Sequence, residues 1–176
     1  TGLAVMTKGV VGLLPFLVSG VYDLVSLIFL KDKVSRKLVY GYLISVGSML
    51  LVALPWHLAM YKMFGKSFIN KYFLYHVWNR AISGIEDKGN PFFWYVIVMK
   101  VSMRIWFVAL LGALPLSLVR AFKKDRKFIF LSVWAVTIFL FFSIAKSKLV
   151  WYIIPIYPAV SLMVGYFLER FLNRFM

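Results

Sequence analysis

The stretch FIFLSVWAVTIFLFFSIA, residues 128–145, contains no charged side chain. A helix needs about 20 mostly apolar residues to cross the hydrocarbon core of a bilayer. Basic residues flank the stretch, with Lys127 directly before it and Lys146 directly after it. The pattern therefore predicts a membrane-spanning helix whose ends lie at the two headgroup layers.

Four further apolar runs are separated from this one by short charged segments. They lie at residues 10–30, 38–60, 104–121 and 150–168, and residues 1–6 are interpreted as the tail of an earlier helix. With 62% hydrophobic residues and a mean hydropathy of +0.85, the composition lies outside that of soluble domains, which are roughly half apolar. We expect an all-α polytopic membrane fold of about five spanning helices, within a single domain over residues 1–176.

The chain has no cysteine and only two histidines, His57 and His76. The missing thiols exclude disulfides and thiolate chemistry, and having only two histidines argues against a metal site built by protein ligands alone. Thr1 begins inside an apolar run that lacks the charged flank and cleavage site of a signal peptide. We therefore expect a fragment of a longer protein, entered part-way through a helix.

The formal net charge is +15, and the cations lie between the apolar runs. Anionic lipid headgroups are thus the expected partners, and nucleic acid is not. Segments 31–37 and 120–127 are short and densely basic, which predicts cytoplasmic turns. Arg170 and Arg174 are placed on the same inner side. The remaining cations fall on the opposite side, where they predict a bound anion. They are Lys8, Lys62, Lys66, Lys71, Arg80, Lys88, Lys100, Arg104, Lys146 and Lys148.

One long connection, residues 61–91, alternates aromatic and charged residues. This alternation is typical of short amphipathic helices that lie in the membrane interface. Glu86 and Asp87 within it are interpreted as solvated loop acids. Asp23 is the one acid inside a predicted span, and we expect it to serve helix packing.

Two basic positions are candidate phosphate ligands. In Thr7-Lys8-Gly9, the Lys8 ammonium could reach a phosphate because glycine admits a close backbone approach; a snorkelling lysine explains the same residues. His76 and Arg80 are four residues apart and would share one helix face. Arg80 could grip a phosphate with two hydrogen bonds while His76 adds another, and an unspecific interfacial turn is the alternative.

The segment SKLVWYIIPIYP, residues 147–158, places a lysine and aromatic residues directly before an apolar run. Pro155 and Pro158 would interrupt helical hydrogen bonding and turn the Tyr152 hydroxyl towards a ligand cavity. The alternative is that Trp151 and Tyr152 form an interfacial aromatic belt beside Lys148.

Taken in order, several short motifs resemble the membrane domain of glycosyltransferase family 39, within the C-type superfamily. This family includes the protein O-mannosyltransferases and the bacterial transferase that adds aminoarabinose to lipid A. The matching motifs are Gly2-Leu3-Ala4-Val5-Met6-Thr7-Lys8-Gly9, Leu54-Pro55-Trp56-His57, Tyr72-Phe73 with Tyr75-His76 and Arg80, Pro91-Phe92-Phe93-Trp94-Tyr95, and Ser147-Lys148-Leu149-Val150-Trp151-Tyr152-Ile153-Ile154-Pro155.

The resemblance implies an enzyme that moves a sugar from a polyprenyl-phosphate donor to a protein, lipid or glycan acceptor. The reaction would occur on the extracytoplasmic face of the plasma (inner) membrane. Lys8, Arg80 and Tyr152 would hold the lipid phosphate, with His76 and Lys148 in secondary roles.

The family's catalytic acid belongs to an earlier outer loop, so no catalytic residue is expected in this fragment. The resemblance establishes no cofactor, but it leaves room for a divalent cation in the full-length protein. A non-catalytic flippase or transporter component for lipid-linked sugars is the alternative function.

Overall fold

The structure, a computed structural model, describes residues 1–79 and 90–173, apart from the side chains of residues 76–78. Within these ranges the regular elements are helical. The α-helices are α1 (Gly2–Lys8), α2 (Leu14–Val25), α3 (Arg36–Phe64), α4 (Lys66–Ile69), α5 (Trp94–Met103), α6 (Ile105–Phe122), α7 (Arg126–Ile144) and α8 (Tyr157–Leu172). Gly9–Leu13 and Val150–Ile156 are 3₁₀ helices, and Ser26–Leu30 and Asn70–Asn79 are π-helical.

Five helical stretches among the described residues are long and apolar enough to cross a membrane. The prediction of an all-α polytopic membrane fold is therefore confirmed. The stretches are Gly2–Leu30, Arg36–Phe64, Ile105–Phe122, Arg126–Ile144 and Val150–Leu172. The chain divides into two compact units, Thr1–Ser83 and Gly84–Met176, and the single domain over 1–176 stays a prediction.

The first unit begins with a tight helical hairpin. Helix α1 ends at Gly9, whose φ of +60° suits a residue without a side chain. The chain then turns back so closely that a Cβ on Gly12 would lie 2.6 Å from the Ala4 carbonyl oxygen. A Cβ on Gly2 would likewise lie 2.8 Å from Cβ of Val52, so α1 also packs closely on α3. Glycine at these positions lets the backbones approach.

Helices α2 and α3 are joined by a polar contact. The Tyr42 hydroxyl of α3 donates a hydrogen bond of 2.6 Å to Oδ2 of Asp23 on α2. Helix α3 itself begins at a regular cap, because Oγ of Ser35 accepts from the Leu38 amide at 3.1 Å. The structural role predicted for Asp23 is thus confirmed.

The predicted interfacial connection is partly described. Helix α3 runs to Phe64 and breaks at Gly65, whose φ is +55°, and α4 and the π-helical segment Asn70–Asn79 follow. Glu86 and Asp87 lie outside the described residues.

In the second unit, α6, α7 and α8 pack around a shared apolar core. Gly112 on α6 permits close contact with α8, since a Cβ there would lie 2.5 Å from the Phe167 ring. The buried residues include Leu110, Ala113, Ile138, Phe142, Val160 and Met163. Helix α5 is held alongside the start of α8, because Ser102 Oγ and the Tyr157 hydroxyl share a hydrogen bond.

Arg104 between α5 and α6 adopts φ +52° and ψ −122°, nearly the conformation of Gly9 and Gly65. A Cβ in this region costs roughly 1–3 kcal/mol. We expect Arg104→Gly to raise the free energy of unfolding by about 1 kcal/mol, measured as a higher midpoint of thermal unfolding. Arg104→Ala removes the guanidinium but keeps the Cβ. An equal gain in the stability of that variant would contradict the explanation by backbone strain.

Candidate functional site

Lys8 lies at the reversal between α1 and the Gly9–Leu13 turn. It is the last residue of α1, and its side chain is exposed. The preceding hydroxyl is directed back into the helix, since Thr7 Oγ1 donates to the carbonyl oxygens of Leu3 and Ala4 at 3.2 and 3.1 Å. Lys8 is therefore the charged donor that this turn presents.

Tyr72 lies beside the same turn, and the sequence interpretation assigned it no role. A Cβ on Gly9 would lie 3.1 Å from the Tyr72 hydroxyl, so the hydroxyl is close to the backbone that follows Lys8. Tyr72 is half-buried, and burial raises the pKa of its hydroxyl above the ordinary value. The hydroxyl is thus a neutral hydrogen-bonding group near neutral pH. The only sequence signal was its place in the Tyr72-Phe73 motif.

Aromatic rings surround Tyr72 and hold it in place. The Phe68 ring stacks on it with 5.2 Å between centroids, and the His57 ring meets it edge-on at 5.4 Å. Nδ1 of His57 lies 2.7 Å from the Ala53 carbonyl oxygen. Because a carbonyl only accepts, Nδ1 carries a proton, and Nε2 is the acceptor in the neutral ring. Trp56 completes the cluster with a centroid 4.9 Å from His57.

In the second unit, the loop between α7 and the Val150–Ile156 helix surrounds Lys148. Only 4% of Lys148 is exposed. Its ammonium donates to the carbonyl oxygens of Ala145 and Asn90 at 2.6 and 2.9 Å, and burial lowers the pKa of this ammonium below the ordinary lysine value. The hydroxyl of Tyr95, fully buried on α5, donates to the Leu149 carbonyl at 3.2 Å. Lys148 thus connects the loop to the chain before α5.

Tyr152 is positioned by the same loop. Its amide donates to the Leu149 carbonyl at 3.0 Å, and its ring stacks on Phe142 at 5.3 Å with 28° between planes. The ring is half-buried, whereas 54% of the neighbouring Trp151 is exposed, as an interfacial belt residue would be.

The two prolines after Tyr152 do not kink one long helix, because they lie in two consecutive helical segments. Pro155 lies inside the 3₁₀ helix Val150–Ile156, and Pro158 lies in the first turn of α8, where a missing amide costs no helical hydrogen bond. Nε1 of Trp134 on α7 donates to the Pro155 carbonyl at 3.0 Å. The backbone carrying Tyr152 is therefore fastened to α7.

The predicted ligands divide between the two units. Lys8 belongs to the first unit. Lys148, in the loop after α7, and Tyr152, in the 3₁₀ helix that follows, belong to the second. Arg80 and the side chain of His76 lie outside the described residues. Phosphate binding by these five residues stays a prediction. Across the part of the chain that is described, no group of three or more metal-ligating side chains is assembled.

Comparison with known proteins points to one group. No protein-family model matches the chain. Undecaprenyl phosphate-alpha-4-amino-4-deoxy-L-arabinose arabinosyl transferase 2 of Proteus mirabilis is 35% identical over 171 residues, which cover 94% of this chain and 29% of that protein. The corresponding transferase of Pectobacterium carotovorum is 30% identical over 165 residues, which cover 93% of this chain and 28% of that protein.

A solved structure agrees with these relatives. The crystal structure of ArnT from Cupriavidus metallidurans bound to undecaprenyl phosphate matches with a TM-score of 0.74 and 31% identity. The match covers 96% of this chain and 29% of ArnT. The chain is similar to one segment of the aminoarabinose transferases. The predicted resemblance to these transferases is confirmed, and with the five apolar stretches it shows an integral membrane protein.

Proposed function

We propose that the protein containing this chain is a glycosyltransferase that uses a polyprenyl-phosphate-linked sugar. The similarity to ArnT carries this proposal, because it covers 96% of the chain and the matched crystal structure holds undecaprenyl phosphate. The names of the relatives favour 4-amino-4-deoxy-L-arabinose as the sugar. The proposal also includes a lipid acceptor and an active site on the outer face of the inner membrane. It further includes membership of family 39.

Within that enzyme, this chain would hold the donor's lipid phosphate. When the sugar leaves, negative charge develops on the phosphate, and cations and hydroxyls already in place stabilise it. The Lys8 ammonium, which is exposed, and the Tyr152 hydroxyl, whose ring is stacked on Phe142, suit this role. Arg80 would add a guanidinium that can bind the phosphate with two hydrogen bonds. Tyr72 is a further candidate, since its hydroxyl lies beside the Lys8–Gly9 turn.

The acceptor must lose a proton as it attacks the sugar, which calls for a general base. The chain spans 29% of the length of the Proteus mirabilis relative. We therefore propose that the catalytic carboxylate belongs to a region that corresponds to the rest of that relative. The 176 residues alone would then bind donor without transferring its sugar.

Three variants of the intact protein test the donor site: Lys8→Ala, Arg80→Ala and Tyr152→Phe. Each is expected to lower kcat/KM for the undecaprenyl-phosphate donor about 100-fold, the effect of removing one group that stabilises developing charge. The midpoint of thermal unfolding should change little, because Lys8 is exposed and phenylalanine keeps the ring stacked on Phe142.

The matched controls are Lys62→Ala and Tyr61→Phe, which remove the same groups at exposed positions near the end of α3. Wild-type transfer is expected from both. Wild-type transfer in all three donor-site variants would refute the assigned roles. A pure, intact protein that moves lipid-linked sugar across a bilayer without transferring it would refute the enzyme and favour a flippase.

A further inference from the structure

A second cationic site lies at the end of the second unit farthest from the Lys148 loop. Arg120 is in the last turn of α6, and Tyr166 and Arg170 are one turn apart near the end of α8. Since α7 begins at Arg126 and runs away towards residue 144, this end is where α6 and α8 finish and α7 starts. None of these residues belongs to the proposed donor site.

Two guanidinium groups meet one tyrosine there. Nε of Arg120 donates to the Tyr166 hydroxyl at 2.8 Å, and its Nη2 donates to the same oxygen. Cζ of Arg120 lies 5.4 Å and Cζ of Arg170 5.8 Å from the centre of the Tyr166 ring. The buried Phe128 ring packs against Tyr166 at 4.6 Å between centroids, so the tyrosine is held from α7 as well.

This arrangement concentrates positive charge without neutralising it. Among the described residues, neither Arg120 nor Arg170 forms an ion pair with a carboxylate. Asp125 serves as the cap of α7, where its Oδ1 accepts from the Lys127 amide at 3.1 Å, and Glu169 is exposed. Lys123 and Lys127 are further cations close by in the sequence. The two guanidinium groups beside the Tyr166 ring repel each other, and a bound anion would reduce that repulsion.

Exposed apolar side chains lie at the same ends of α6 and α8 as the two arginines. Phe122 is 73% exposed, Phe171 is 52% exposed and Leu172 is 55% exposed. They lie on stretches long and apolar enough to cross a bilayer, so acyl chains could lie against them. A free phosphate would gain nothing from such neighbours, whereas a phospholipid would use both parts of the site.

We propose that Arg120, Tyr166 and Arg170 form a binding site for the headgroup phosphate of an anionic phospholipid. Arg120 and Arg170 supply the charge, and Tyr166 holds the Arg120 guanidinium in place. The acyl chains lie along the exposed side chains at the ends of α6 and α8. The site does not depend on the proposed transferase activity.

Spin-labelled lipids and the intact protein in bilayers test this site. Wild-type protein is expected to favour spin-labelled phosphatidylglycerol over phosphatidylcholine. Arg120→Gln and Arg170→Gln should each lower this relative association constant about tenfold, the effect of losing one charge-assisted hydrogen bond to the bound phosphate. Tyr166→Phe keeps the ring on Phe128 but removes the oxygen that holds Arg120, so it should weaken the preference even if Arg120→Gln fails to fold.

Lys123→Gln is the control, because it removes one charge from the same region and lies outside the two arginine contacts with Tyr166. It should change the preference less than twofold. If Lys123→Gln lowered the preference for phosphatidylglycerol as much as the other variants do, the proposed site would be wrong. The lipid would then be attracted by the overall positive charge of this region. Inorganic phosphate at millimolar concentration should not displace the lipid, and complete displacement would overturn the assignment to a phospholipid.

Discussion

Replacing Lys148 by methionine is expected to lower the free energy of unfolding by about 2–4 kcal/mol, since the carbonyl groups of two half-buried residues would lose their hydrogen-bond donor. The ammonium joins Ala145, at the end of α7, to Asn90, which is 58 residues away in sequence. Methionine fills a similar volume but donates nothing. The measurement is the midpoint of unfolding of the intact protein in detergent, by heat and by denaturant.

Lys146→Met is the matched control. It removes the same charge two residues away, at a side chain that is exposed. Its midpoint should stay near that of the wild type. If both variants unfolded like wild type, the two hydrogen bonds would contribute nothing to stability. A loss of donor binding in Lys148→Met with unchanged stability would instead favour the secondary phosphate role predicted from the sequence.

Gly12→Ala is expected to destabilise the first unit by about 1–3 kcal/mol, the usual cost of inserting a methyl group where there is no space. The new Cβ would lie 2.6 Å from the Ala4 carbonyl oxygen and closer still to the backbone between Ala4 and Val5. Backbone atoms inside α1 cannot rotate away as a side chain can, so the hairpin must open. The opening would also displace Lys8, and donor transfer should fall together with the unfolding midpoint.

Gly20→Ala provides the comparison, because no atom beyond the local helix backbone lies within 4 Å of a Cβ at Gly20 in α2. Alanine is the better helix former by roughly 1 kcal/mol, so this variant should be as stable as wild type or more so. A Gly12→Ala protein as stable as Gly20→Ala would show that the close approach of α1 to the turn is not needed.

The spanning helices could be predicted from local pattern. An uncharged run such as residues 128–145 has few alternatives in a bilayer, because the backbone must satisfy its own hydrogen bonds there. The break at Gly9 was also readable, since Thr7-Lys8-Gly9 separates two apolar segments. The structural role of Asp23 followed from its place towards the cytoplasmic end of its predicted span, away from the outer cations. Its partner Tyr42 could not be predicted.

The candidate site was less predictable, because its contacts join residues far apart in the chain. Tyr72 reaches Gly9 across more than sixty residues, and no local pattern distinguishes it from the other aromatic residues of segment 61–79. Lys148 resembled a surface cation in the sequence, and the structure buries it. Lys146, two residues earlier, is the exposed one. Side chains two residues apart on an extended segment would share one face, so the local pattern does not separate these two lysines.

By itself, the sequence determined that this is a helical membrane protein, where its apolar runs and basic turns lie, and which motifs resemble lipid-linked sugar transferases. These properties depend on composition and spacing, which act over a few neighbouring residues. Only the tertiary structure decided that Lys148 joins two segments, that Tyr72 lies beside the Lys8 turn and that Arg120 and Arg170 share Tyr166. The direction of each side chain depends on which distant backbone or ring packs against it, and that partner exists only once the helices have assembled.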